Sequence, residues 1–229
     1  MIIAIDGPSG AGKSTLGRML ARELGLLYLD TGSMYRAVAL AVLESSVNAT
    51  DDIAVGSLAS RVDIDLAGDP DSLRVTLDGQ DVTEQIRSEE VTHMSSVVST
   101  IPAVRRAMVE RQRGMGRRGA VLNGRDIGTV VFPDADVKFF LTASPEARAQ
   151  RRFTEGQKQD SKISFEETFA DMNERDGRDS TRLDSPLKIS EDAIVIDSTG
   201  LSTQQVFEQM MAVVREKTGH SHRGRETRR

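Results

Sequence analysis

The chain has no cysteine and three histidines, His93, His220 and His222. Disulfides and thiolate metal sites are therefore excluded, and the scattered histidines do not form a ligand cluster. No long apolar run is present. The longest, residues 37–43, is too short to cross a bilayer. Positive charge is not in excess: the formal net charge is −5, which argues against non-specific nucleic-acid binding by the domain as a whole. A basic leader and a cleavage site are absent, because the N-terminus goes straight into a strand pattern. No internal repeat is visible. These absences predict a soluble, cytoplasmic protein with no membrane or nucleic-acid partner, and a monomer is expected.

With 229 residues and 38% hydrophobic side chains, one α/β domain with an insertion is affordable in core volume. The chain is organised around residues 2–20. Residues 2–5 read as a short buried strand. Residues 7–14 spell G-x-x-x-x-G-K-S, and Leu16, Met19, Leu20 and Leu24 then recur at helical spacing. Strand, glycine loop and helix are the context in which this pattern binds phosphate. Its glycines let backbone N–H groups turn inward into an anion-binding concavity, beside the positive end of the helix dipole. Lys13 is placed to reach the β- and γ-phosphates, and the Ser14 hydroxyl to ligate Mg²⁺.

Further on, residues 26–30 form a second strand pattern, stopped at Asp30-Thr31-Gly32, and a helix is predicted over 33–44. A shorter helix ends near Arg61. At Val62 the texture changes to alternation, with Val62, Ile64 and Leu66, a Gly-Asp-Pro-Asp turn, then Leu73, Val75 and Leu77. A small antiparallel β insertion is predicted over 62–98. Helical pattern returns over 102–114, and strands are expected at 121–123, 137–141 and 193–196. Helices are predicted from Pro145, over 165–176 and over 202–217. Residues 156–161 read as a mobile polar loop, and 218–229 as a disordered basic tail. Five apolar strands alternating with helices predict an α/β fold, a parallel sheet covered on both faces. Ligands in such sheets bind beyond the carboxyl ends of the strands. The glycine loop, Asp30-Thr31, Gly124-Arg125-Asp126 and Asp197-Ser198 should meet there.

Arginine is the other conspicuous resource. Arg36, Arg125, Arg148, Arg151, Arg152, Arg175, Arg178 and Arg182 follow strands or lie on the late helices. Two phosphate chains brought head to head repel, and planar, permanently charged guanidinium forks suit their neutralisation.

Four stretches resemble the bacterial cytidylate kinases: Gly7-Pro8-Ser9-Gly10-Ala11-Gly12-Lys13-Ser14-Thr15, then Leu29-Asp30-Thr31-Gly32-Ser33-Met34-Tyr35-Arg36, then Gly124-Arg125-Asp126-Ile127-Gly128-Thr129-Val130-Val131-Phe132-Pro133-Asp134-Ala135, and Glu174-Arg175-Asp176-Gly177-Arg178-Asp179. Order and spacing match over about residues 1–215. The resemblance implies a P-loop kinase core (1–61 and 99–217) with a five-stranded parallel sheet, a monophosphate-binding insertion (62–98) and a lid near 148–162. It implies transfer of the γ-phosphoryl group of ATP to CMP or dCMP, with Mg²⁺. By resemblance Lys13, Arg125 and Arg182 are catalytic, and the loop residues with Arg148 and Arg152 hold ATP. Thr31, Arg36, Ser96, Arg105, Arg125, Asp126, Arg175, Asp179 and Arg182 would hold the acceptor. Relatives often carry Ser at position 31 and Asp at position 123; no metal role is carried over to Asn123.

Two other readings fit the loop. One is a P-loop kinase for a different small molecule, such as shikimate, gluconate or another nucleotide. The insertion and Gly-Arg-Asp at 124–126 argue against it. The other is an NTPase switch, which needs a positioned water and not an acceptor pocket.

Overall fold

The computed structural model describes residues 1–157 and 163–223. Strand β1 (Ile2–Asp6) leads through the glycine loop into helix α1 (Lys13–Leu24), followed by β2 (Leu27–Asp30), α2 (Thr31–Glu44) and α3 (Asp52–Arg61). Three short strands come next, β3 (Ile64–Ala67), β4 (Arg74–Leu77) and β5 (Gln80–Asp81), then α4 (Glu89–Val98) and α5 (Pro102–Gly116). Strands β6 (Ala120–Asn123) and β7 (Val137–Thr142), helices α6 (Pro145–Gln157) and α7 (Phe165–Thr181), β8 (Ile194–Asp197) and α8 (Thr203–Arg223) complete the chain.

Strands β1, β2, β6, β7 and β8 form one parallel sheet in the order β2-β6-β1-β7-β8. Side chains alternate between its faces. Ala4, Leu29 and Leu122 pack with α2 and α5 on one side, whereas Ile3, Ile5, Tyr28 and Val121 pack with α1 and α8 on the other. Ile3 and Ile5 are fully buried, each contributing roughly 1.5–3 kcal/mol by removal from water. The register sets Asn123 between Ile5 and Asp30, so the carboxyl ends of three strands lie level at one edge.

Strands β3, β4 and β5 form a separate antiparallel sheet. Helix α3 leads into this segment and α5 leads out of it, and its buried residues join the core on the α2 face of the parallel sheet. Helices α3 and α5 approach closely: a Cβ added at Gly56 would lie 2.5 Å from the Ala103 methyl carbon.

Several elements differ from the sequence expectations. Helix α2 starts at Thr31, two residues early, because the Asp30 side chain accepts the Gly32 N–H at 3.1 Å and caps it. Helix α4 lies where only strands and turns are expected. Ser88 caps it and Glu89 and Glu90 occupy its first turn, but two of its buried positions are Ser95 and Ser96, which break the apolar period. Helix α6 includes Gly156 and Gln157, and the rest of the expected mobile loop lies outside the described residues. Helix α7 runs on to Thr181, whose hydroxyl bonds back to the Gly177 carbonyl at 2.8 Å. Helix α8 continues to Arg223, into the segment expected to be disordered; Thr218 Oγ1 donates to the Val214 carbonyl at 2.8 Å. Residues 224–229 lie outside the described residues. No described helix is long and apolar enough to cross a membrane.

Candidate functional site

A cleft of about 780 Å³ opens beyond the carboxyl ends of β1, β2 and β6. The glycine loop forms one end. Gly7, Gly10 and Gly12 have positive φ, and a Cβ at Gly7 would meet the Leu141 carbonyl oxygen at 2.0 Å. Ser9, Gly10, Ala11, Gly12, Lys13, Ser14 and Thr15 line the cleft, while Gly7 and Pro8 lie behind it. Lys13 is buried, and its Nζ donates to the Pro8 carbonyl at 2.6 Å. Burial, then the nearby Arg125 guanidinium, hold its pKa well below the usual lysine range.

Beside the loop, Asn123 Nδ2 donates to Ser14 Oγ at 3.2 Å and to Asp30 Oδ1 at 3.4 Å. Its Oδ1 is buried with no hydrogen-bond partner among the described residues. Thr31 Oγ1 donates to the Asn123 carbonyl at 2.8 Å, so the hydroxyl fixes the end of β6. Burial raises the Asp30 pKa, but Arg36 and hydrogen bonds from Ser33, Asn123 and Gly32 outweigh it, and the net shift is downward.

The far end is built from arginine and aspartate. Arg36 reaches Asp30 at 3.3 Å and Ser33 Oγ at 2.8 Å. Arg125 Nε donates to Asp179 Oδ2 at 2.7 Å, and Arg182 reaches Asp179 Oδ1 at 3.4 Å. Burial raises the Asp179 pKa, yet Arg125, Arg182 and Arg175 bring it below the usual carboxylate value. Arg175 is lowered to about 10, by burial and then by Arg125. Arg105, only 1% exposed, lies over the Tyr35 ring and meets Asp126 at 2.5 Å. Arg36 Nε, Arg105 Nε and Arg182 Nη2 are buried without hydrogen-bond partners among the described residues. Donors and positive charge are thus in surplus on this wall, the condition for binding an anion.

Ser96 is buried, and its Oγ has no hydrogen-bond partner among the described residues; Ser95 and Ser99, one helical turn apart, line the cleft. Arg148 is buried behind the glycine loop, held by Asp176, the Ser9 carbonyl and the Ala143 carbonyl. Its neighbour Arg152 does line the cleft, with about half of its side chain exposed.

A loop built for phosphate facing an arginine wall across one cleft is the arrangement of a two-substrate phosphate enzyme, and residues 3–216 match the family model described as cytidylate kinase. The chain belongs to the cytidylate kinase family. A cytidylate kinase of Geobacter sp. (strain M21) is 47% identical, covering 98% of this chain and 97% of its own. One from Mycobacterium leprae is 46% identical over 96% and 97%, and one from Aeromonas salmonicida 43% identical over 95% of each. Among solved structures, an uncharacterized protein from Eubacterium ventriosum shares the fold, with a TM-score of 0.53 at 11% identity, over 93% of this chain and 98% of that one.

Membership of the cytidylate kinase family does not by itself single out three residues that the structure brings forward. Asp6 ends β1 and accepts the Ile127 and Gly128 N–H groups at 2.8 and 2.7 Å, fixing the turn after Arg125-Asp126. Burial raises its pKa to about 6 against the pull of those two bonds. Tyr35 carries Arg105 on its ring. Asp176 accepts the Ser9 N–H at 3.2 Å. A carboxylate closing an apolar strand is the one sequence signal for Asp6; Asp176 lies inside the resembling Glu174–Asp179 stretch, which assigns it no role of its own.

Proposed function

We propose that this chain transfers the γ-phosphoryl group of ATP to CMP or dCMP. The observation that carries the reading is the single cleft with the glycine loop at one end and Arg36, Arg125, Arg175 and Arg182 at the other. Phosphoryl transfer asks little covalent chemistry of the protein; it asks for in-line positioning and neutralisation of charge. In this reading the loop N–H groups and Lys13 hold the β- and γ-phosphates. Phosphate near Lys13 restores its protonated form, since an anion opposes the desolvation that lowers its pKa. Arg36, Arg125 and Arg182 hold the acceptor phosphate, and Arg175 with Asp179 the sugar.

The residues around Ser14 fit Mg²⁺ carried with the triphosphate. That ion needs only one or two protein oxygens beside phosphate and water. The Ser14 hydroxyl and the unpartnered Asn123 Oδ1 would supply them, with Asp30 adjacent. When bound, Mg²⁺ withdraws charge from the transferring phosphate. No group of three His, Cys, Asp or Glu side chains suited to a free-standing metal site occurs among the described residues.

Asp126 and Arg105 read the base. Cytosine offers an exocyclic amine to the carboxylate and acceptors to the guanidinium. Residues 62–98 act as the acceptor-binding subdomain, and α6 carries the described part of the lid that excludes water. A panel of monophosphates and sugar acids assayed with ATP and Mg²⁺ tests the reading. CMP and dCMP should be turned over, with UMP at least about tenfold poorer in kcat/KM. ATP consumption independent of any acceptor would overturn it.

A further inference from the structure

One turn of α7 is bonded to both ends of the cleft. Asp176 Oδ1 accepts the Ser9 N–H at 3.2 Å, and its Oδ2 pairs with Arg148. Arg148 Nη1 also donates to the Ser9 carbonyl at 3.0 Å. Both polar groups of the Ser9 backbone are therefore tied to this pair, Arg148 buried and Asp176 partly so. Three residues on, Asp179 takes the Arg125 guanidinium at 2.7 Å. Positions three apart share a helix face, so the donor loop and the acceptor loop hang from one rigid turn. The fit leaves no slack: a Cβ at Gly10 would lie 2.8 Å from the Arg148 carbonyl oxygen and 2.9 Å from the Met172 methyl carbon.

We propose that Asp176 is a positioning residue that couples the two substrates, holding the Ser9 segment of the phosphate loop in register with the acceptor residues of α7. The inference rests on the reading of the cleft as a two-substrate kinase site. Any adjustment of α7 when Arg175, Asp179 and Arg182 close on the acceptor is passed through Asp176 to Ser9. Linkage makes the effect reciprocal: triphosphate binding tightens the acceptor by the same factor. An ion pair that merely joined α6 to α7 would lower stability and affect both substrates alike.

The test uses the full chain as wild type, Asp176→Asn and Asp176→Ala. Calorimetry measures the Kd of a non-hydrolysable ATP analogue with Mg²⁺, with and without saturating CMP. In the wild type, CMP should tighten the analogue about fivefold or more. In Asp176→Ala that tightening should vanish and the analogue alone should bind more weakly, while the Kd of CMP alone stays within about twofold. Asp176→Asn keeps an acceptor for Ser9 and loses the charge facing Arg148, so its coupling should fall between the two. Retained tightening in the alanine variant, or a wild type with none, overturns the proposal. Should neither variant fold, hydrogen exchange of residues 8–12 in the wild type decides: CMP alone should slow it, and equal rates overturn the idea. If no turnover of CMP occurs, the function reading fails by itself, and the coupling is measured with whichever monophosphate the panel selects.

Discussion

Arg105 meets the carboxylate of Asp126 at 2.5 Å, with both side chains buried. A carboxylate so held has one oxygen committed to Arg105 and the other 3.8 Å from the Arg182 guanidinium. Asp126→Asn replaces half of its acceptor capacity with a donor. The kcat/KM for CMP should fall about tenfold or more, and that for UMP much less, because only cytosine presents an amine to this position. Steady-state kinetics with both nucleotides measure the ratio. An unchanged ratio places base recognition elsewhere.

Lys13→Ala removes an amine whose hydrogen bond within the described residues goes to the Pro8 carbonyl. Turnover should drop by at least about a hundredfold, the scale of losing a preorganised charge at the transferring group. The melting temperature should stay within a few degrees of wild type. Near-normal kcat in a folded variant would remove Lys13 from the chemistry.

The pKa of Asp6, about 6 in the folded chain, is raised from 3.8. A raised carboxylate favours the protonated folded state. Relative to a variant without the group, the protein therefore gains stability as pH falls from above 6 to below 3.8, and loses it in the reverse direction. The shift corresponds to roughly 3 kcal/mol at full effect. Chemical denaturation of wild type and Asp6→Asn at pH 4 and pH 7 gives the difference. A pH-independent difference would show an unshifted carboxyl.

On α8, Val214 is the last buried apolar side chain among the described residues. Truncation after Thr218 should leave kinase activity and melting temperature unchanged. A loss of several degrees would mean that the removed segment packs on the domain.

The donor half of the cleft is legible in the sequence because its chemistry is backbone chemistry: glycines at fixed offsets between a strand and a helix dictate the loop. The parallel sheet is legible for a similar reason, as its buried strands are short apolar runs closed by polar residues such as Asp30 and Asn123. Helix α4 escapes because its inner face is part serine, which periodicity scores as surface. Ser95 and Ser99 join the cleft lining from the same stretch, one helical turn apart. Asp6 and Asp176 escape because their partners, Ile127, Gly128, Ser9 and Arg148, are remote in the chain. Such pairings exist only once the strands and helices have docked. Arg148 shows the limit of reading a role from a cluster: of three arginines within five positions one is buried against Asp176 and Ser9, while Arg151, bonded to Ser198, and Arg152 line the cleft.

The contact between Gly56 and Ala103 has a consequence for how this architecture tolerates change. It joins the two ends of the segment from β3 to α4, whose Ile64, Val75, Leu77, Ile86 and Val91 share one apolar core with α2 and Leu29. The entropy of closing such a loop grows only with the logarithm of its length. Residues can be added at the exposed turns of this segment at small entropic cost, whereas its core-facing side chains cannot be removed without opening the core they share with the parallel sheet.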